Sequence, residues 1–161
     1  MIEIREVTDP AAKSELCSCI LHQLPDWFGI ESSIAEYVEE AAGLPFYAAY
    51  DRTRPIGFLA VKVHNPYTSE IYVMGILEDF HRQGIGTALV SRAEVFCRDR
   101  GQKYLTVKTL DGSAASEHYA RTRKFYKRMG FIPLEVFPLL WDEANPCLFL
   151  VKYLEDAADH S

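Results

Sequence analysis

The chain has 161 residues, the length of one domain, and its 48% hydrophobic and 12% aromatic content is ample for a packed core. A formal net charge of −6 argues against a nucleic-acid binder, which would show a basic stripe; it suits a cationic substrate, or simply solubility. No apolar run approaches the roughly 20 residues of a membrane span, and the charged, alternating start Met1–Glu6 has no signal-peptide core, so a cytoplasmic location is expected.

Ile2–Val7 alternates and reads as a first strand, and Thr8-Asp9-Pro10 opens a helix over about 10–24 that Pro25 ends. Ser32 or Ser33 is placed to cap a second helix through about Ala42, stopped by Gly43 and Pro45. Phe46–Tyr50 and Ile56–Val63 read as a hairpin around the polar turn Asp51–Pro55, and Glu70–Leu77 follows as a further strand. A helix over about 83–100 carries Ile85, Leu89, Ala93 and Cys97 on one face. Then come a strand at Tyr104–Val107, a helix over 115–129, and strands at Phe131–Phe137 and Cys147–Tyr153 around a Trp141–Pro146 loop. The order implies an α/β class: about seven strands in a mixed sheet with about four flanking helices. One domain is expected over 2–154, with a polar tail over 155–161. Cys17, Cys19, Cys97 and Cys147 form no CxxC pair, the five histidines are scattered, and no metal site is expected.

The most informative stretch runs from Ile76 to Leu89, where a strand passes through a two-glycine loop, Gly84 and Gly86, directly into an amphipathic helix. Glycines allow close backbone approach, and the first N–H groups of a helix form an anion site suited to a pyrophosphate. A P-loop is excluded because the chain has no Gly-Lys, and a dinucleotide fingerprint fails because Leu89 stands at its third glycine. A turn with no ligand remains open on the glycines alone.

His81-Arg82-Gln83-Gly84-Ile85-Gly86 resembles the [Arg/Gln]-x-x-Gly-x-[Gly/Ala] acetyl-CoA loop of the GNAT N-acetyltransferases. Lys124-Phe125-Tyr126-Lys127-Arg128-Met129-Gly130-Phe131 resembles that family's Phe-Tyr-x-x-x-Gly-Phe element, at the family's distance from the loop. Element order over residues 2–154 matches as well. His81 replaces the loop's usual Arg or Gln, Glu78 stands where proline is frequent, and Tyr119 where many members carry asparagine.

The resemblance implies a GNAT fold whose sheet splays centrally, with the pantetheine arm of acetyl-CoA, the co-substrate, between strands Glu70–Leu77 and Tyr104–Thr109. It implies cofactor contacts from Ile76, Leu77, His81, Arg82, Gln83, Gly84, Ile85, Gly86, Thr87, Ala88 and Tyr119, with a main-chain N–H near Ile76 polarising the thioester carbonyl. Tyr126 is then the general-acid candidate, since a phenol (pKa about 10) can protonate a departing thiolate (about 8.5); by spacing alone it packs in a core with Phe125 and Met129. Glu70, eleven residues before His81, matches the glutamate base of the histone-acetylating branch, among apolar neighbours that would raise its pKa; Asp79 or water are the alternatives. The acceptor site is expected from Trp27, Phe28, Glu31, Trp141, Asp142 and Glu143.

The expected activity is acetyl transfer to a primary amine, of a small cationic molecule first. A peptide or protein acetylase and a non-catalytic acetyl-CoA-binding module are the alternatives. An amine-bearing small molecule is the expected partner, with no nucleic acid or membrane, and the chain is expected to be a monomer or homodimer.

Overall fold

The computed structural model describes residues 1–155; residues 156–161, and with them nearly all of the expected tail, lie outside the described residues. The strands follow the order β1-β2-β3-β4-β5-β7-β6, with β1 at Ile2–Glu6, β2 at Phe46–Asp51, β3 at Arg54–Asn65, β4 at Thr68–Ile76, β5 at Tyr104–Leu110, β6 at Ile132–Asp142 and β7 at Asn145–Tyr153. The helices are α1 (Pro10–Leu21), α2 (Glu31–Ala41), α3 (Ile85–Asp99) and α4 (Glu117–Arg128). This is the mixed α/β architecture expected from the pattern of periods. Contacts gather it into two compact units: Met1–Lys62 with Ile71–Val95, and Val63–Glu70 with the described part of Phe96–Ser161.

In the first unit β2 pairs antiparallel with both β1 and β3. The β2–β3 turn is tighter than the sequence indicates, because Arg54 and Pro55 are already strand and Arg52 takes a left-handed φ of 59°. A register shift at Ala49/Tyr50 accommodates Pro55, which has no N–H for a ladder. Asp9 caps α1 by accepting from the Ala12 N–H at 2.9 Å, with Pro10 in the first turn. That helix ends at Leu21, and the chain to Leu24 is closed by i→i−3 bonds instead.

Helix α2 corrects an expectation. Neither Ser32 nor Ser33 caps it; it starts from Ile30 with no side-chain cap, and Glu31 supplies a negative charge to the first turn. The core of this unit includes Phe46 stacked on Phe58 at 5.1 Å.

In the second unit β7 pairs antiparallel with β5 on one side and β6 on the other. The expected Trp141–Pro146 loop shrinks to a turn at 143–144, since Trp141 and Asp142 continue β6 and Asn145 and Pro146 begin β7. The Asn145 amide donates to Asp142 Oδ1 at 2.8 Å across that turn. Ser116 caps α4 through the Tyr119 N–H. Cys17, Cys97 and Cys147 are buried and Cys19 is exposed, all as free thiols; burial pushes Cys17 up to about 12 and Cys147 up to about 11. Among the described residues no helix is long and apolar enough to cross a membrane.

One glycine sets how closely α1 approaches β4. A Cβ at Gly75 would stand 3.2 Å from Ile20 Cγ2 and Leu24 Cδ1 and 3.3 Å from Leu21 Cδ2. Gly75→Val should therefore destabilise the protein by about 1–3 kcal/mol through overpacking. Thermal and urea unfolding of the variant measure this; unchanged stability would show that α1 yields freely.

Candidate active site

In the first unit the chain leaves β4 at Ile76 and makes a 3-10 turn, Glu78–Phe80, before the two-glycine loop. Leu77 N–H donates to the Ile56 carbonyl at 2.8 Å, and His81 Nε2 lies 2.7 Å from the Ile76 carbonyl. A carbonyl only accepts, so Nε2 carries the proton. Both polar groups of the Ile76–Leu77 peptide are thus fixed. The His81 ring also meets Trp27 edge-on at 5.3 Å between centroids.

After His81 the backbone takes two left-handed residues, Arg82 at φ 64° and Gly84 at φ 78°. Arg82 bears real strain there; Gly84 does not. The place where a Gly84 Cβ would stand has no heavy atom within 4 Å. Helix α3 begins at once, its first turn closed by Ala88 N–H to the Gly84 carbonyl at 3.0 Å. The N–H groups of Ile85, Gly86 and Thr87 precede that bond at the positive end of the helix. Gly86 is buried and Thr87 exposed. An exposed glycine bend opening into a helix N-terminus fits a phosphate group.

In the second unit Glu70 is buried, but its surroundings are not the apolar ones expected from strand alternation. Its Oε1 lies 2.7 Å from His64 Nε2, and Lys108 Nζ lies 3.3 Å from Oε1 and 3.1 Å from Oε2. Alternation along β4 carries no information about what β5 and the β3–β4 hairpin bring alongside. That hairpin is itself pinned. Ser69 donates to Gln102 Oε1 at 2.6 Å, Gln102 donates to the Asn65 carbonyl, and the Tyr67 carbonyl accepts from Lys103 and Tyr104 N–H.

Beside Glu70 lies an open cavity of about 440 Å³ whose walls include His64, Lys108, Thr106, Phe137, Leu140 and Phe149. His64 and Lys108 are functional candidates that sequence reasoning missed. The signal available was the hairpin itself: Pro66-Tyr67 folds β3 onto β4, so residues 64 and 70 meet across the turn.

Tyr126 is also in the second unit and is the buried residue of α4. Its ring packs edge-on against Phe125 at 5.3 Å and Phe131 at 5.6 Å. Burial holds its phenol well above the usual range, and the neighbouring Tyr119 adds to this. The hydroxyl therefore stays protonated across ordinary pH.

The expected acceptor residues fall in both units. In the first, Phe28 meets Tyr37 edge-on at 6.0 Å, Tyr37 meets Tyr72 at 5.3 Å, and Lys62 stands over the Tyr72 ring. Glu31 is exposed and bound to His22 Nε2 at 2.8 Å, which raises the pKa of that imidazole. In the second unit Trp141 is exposed on β6, and Asp142 holds Asn145. Asp79 receives a hydrogen bond from Gln83 on its main-chain carbonyl.

Known proteins give this geometry a family. An uncharacterized N-acetyltransferase of Chlorobaculum tepidum is 30% identical over 105 residues, 63% of this chain and 61% of that protein, so the match spans about three fifths of the relative's own length. A crystal structure from Desulfovibrio desulfuricans assigned to the GNAT family superposes with a TM-score of 0.80 at 20% identity, covering 96% of this chain and all of that one. A GNAT family acetyltransferase from Elizabethkingia anophelis with acetyl-CoA bound gives 0.67 at 18% identity over 95% of this chain and 98% of its own. At those identities the two structures speak for the fold alone. The family model described as acetyltransferase (GNAT) matches residues 12–131, three quarters of the chain and the whole of the glycine loop, and the chain belongs to that family.

Proposed function

We propose that the chain transfers the acetyl group of acetyl-CoA to a primary amine. The observation that carries the reading is the bend at Arg82 and Gly84, open above Gly84 and running into the N-terminus of α3. Acetyl-CoA supplies the thioester and a pyrophosphate. Main-chain N–H groups from Gln83 to Thr87 hold the pyrophosphate, and Gly86 gives it close approach. Successive N–H groups of a strand point to opposite edges, so with Leu77 N–H directed at β3, Ile76 N–H is directed away from it. That N–H is the donor for the thioester oxygen.

Tyr126 supplies the proton for the CoA thiolate. Burial keeps the phenol protonated; it donates a hydrogen bond to the departing thiolate and then its proton, and the second proton lost by the attacking nitrogen as the adduct collapses restores the phenol.

For the acceptor, a small cationic amine has the net charge of −6 behind it. The cavity favours a second reading: Phe137, Leu140 and Phe149 suit an amine on an apolar body, with His64 and Lys108 among its polar walls. A panel of spermidine, kanamycin and phenethylamine, followed by CoA thiol release, separates the two. Binding of acetyl-CoA with no turnover on any amine or amino-terminal peptide would leave a non-catalytic binding module.

Acetyl-CoA should raise the melting temperature by mass action, and Gly86→Val should abolish the shift while far-UV circular dichroism stays native. A retained shift in that variant would place the phosphates elsewhere.

Tyr126→Phe should lower kcat by about 10²-fold with KM for acetyl-CoA nearly unchanged, because the thiolate exists only as the bond breaks. Its stability has a pH signature as well. The native phenol is raised above the unfolded value of about 10, so its contribution is complete below that pH and is lost as pH climbs towards the native value. Urea unfolding at pH 8 and pH 11 should show a smaller alkaline loss in Tyr126→Phe than in the wild type. Wild-type turnover in that variant leaves Tyr126 a packing residue.

A further inference from the structure

The group that takes the amine's proton follows from who faces whom around Glu70. Glu70 is 5% exposed, and both its carboxyl oxygens already accept hydrogen bonds, Oε1 from His64 and Lys108 and Oε2 from Lys108. An incoming amine finds no open face on it. The His64 side chain is 39% exposed and forms part of the cavity wall. A carboxylate facing the Lys108 ammonium only accepts, so His64 Nε2 is the donor in the 2.7 Å bond between them. In the neutral ring Nδ1 is then left with a bare lone pair.

We propose that His64 is the general base, that Glu70 is the positioning residue that sets its tautomer, and that the cavity lined by His64 receives the acceptor amine. The inference rests on the acetyl-transfer reading and names the group that starts it. An N–H bond of the bound ammonium breaks, its electron pair stays on nitrogen, and the proton bonds to Nδ1. The neutral amine is then competent to attack the thioester, and the imidazolium returns its proton to bulk water. Imidazole titrates nearest neutrality of the common side chains, which suits it to this transfer at pH 7.

The roles follow from burial. Glu70 is enclosed, with both oxygens engaged, where it can orient the ring beside it. Lys108, its Nζ 5.9 Å from the centre of the Phe149 ring, keeps that buried carboxylate from being left unpaired. The groups that face His64 and its partner are Glu70 on β4 and Lys108 on β5, and the Cys147 thiol on β7 couples to that pair but stays neutral, pushed up to about 11.

The test compares His64→Gln with Glu70→Gln on the best amine of the panel, over pH 6–10. His64→Gln should lose about 10²-fold or more in kcat at pH 7 and recover towards wild type at high pH, where the amine deprotonates unaided. Glu70→Gln keeps a carbonyl to accept from Nε2, so its loss should be smaller, about 10-fold, with a displaced acid limb in the pH profile. The acetyl-CoA melting shift should be normal in both. The reverse order, with Glu70→Gln the worse of the two, would make Glu70 the base and overturn the proposal.

A second measurement stands apart from turnover. Imidazole ¹⁵N spectra, with His64 assigned by its loss in His64→Gln, should show the Nε2–H tautomer at pH 8. The Nδ1–H tautomer overturns the proposal even in an active enzyme. A wild-type protein that binds acetyl-CoA, shows the Nε2–H tautomer and acetylates no amine sinks the acetyl-transfer reading instead.

Discussion

A carboxylate taken out of water must be met by charge or by donors, and Glu70 organises its surroundings around that requirement. An ionised group of this kind buried alone costs several kcal/mol. Lys108 from β5 and His64 from the end of β3 are drawn onto its two oxygens. Pairing of this sort is a poor source of net stability, because desolvation takes back most of the Coulombic gain. Its value is in placement. It holds one imidazole at the edge of a cavity, and the bonds from Gln102, Lys103 and Tyr104 to the β3–β4 hairpin keep it there. The polar network is therefore better understood as a device for orientation than as part of the core.

The two-glycine loop is governed by a backbone constraint instead. Two left-handed residues within three, Arg82 and Gly84, turn the chain sharply before α3, and one of them pays a steric cost. His81 steadies the segment that leads in, by its bond to the Ile76 carbonyl and its edge contact with Trp27. An arginine or glutamine at that place would offer a longer reach and more donors. The histidine offers a short bond within its own loop, so the departure from the family's usual residue exchanges flexible contact for a local brace.

The fold was legible because hydrophobic period and glycine position are local properties of a sequence. Alternation marked the strands, the face of Ile85, Leu89 and Ala93 marked α3, and Gly84 and Gly86 marked the loop. Ends were read less well where tertiary contacts set them: α1 stops at Leu21 ahead of Pro25, and β6 runs on to Asp142. The partners of Glu70 were not legible at all. Lys108 is 38 residues away in sequence, and spacing along one strand cannot report what a neighbouring strand presents. His64 was closer to hand, since a hairpin turn at Pro66-Tyr67 dictates that positions on either side meet.

The proposed acid and base differ in exposure. Tyr126 sits against Phe125 and Phe131, where burial denies it ionisation and keeps a proton always available. His64, the proposed base, stands half-exposed at a cavity wall. Amide formation from an ammonium and a thioester needs that asymmetry: one proton must leave before attack, and another must be in place when the thiolate departs. A buried base would keep the first proton, and an exposed acid of the same pKa would share its hydroxyl with solvent. Exchanging the two environments would leave the same functional groups present and the reaction without a direction for its protons.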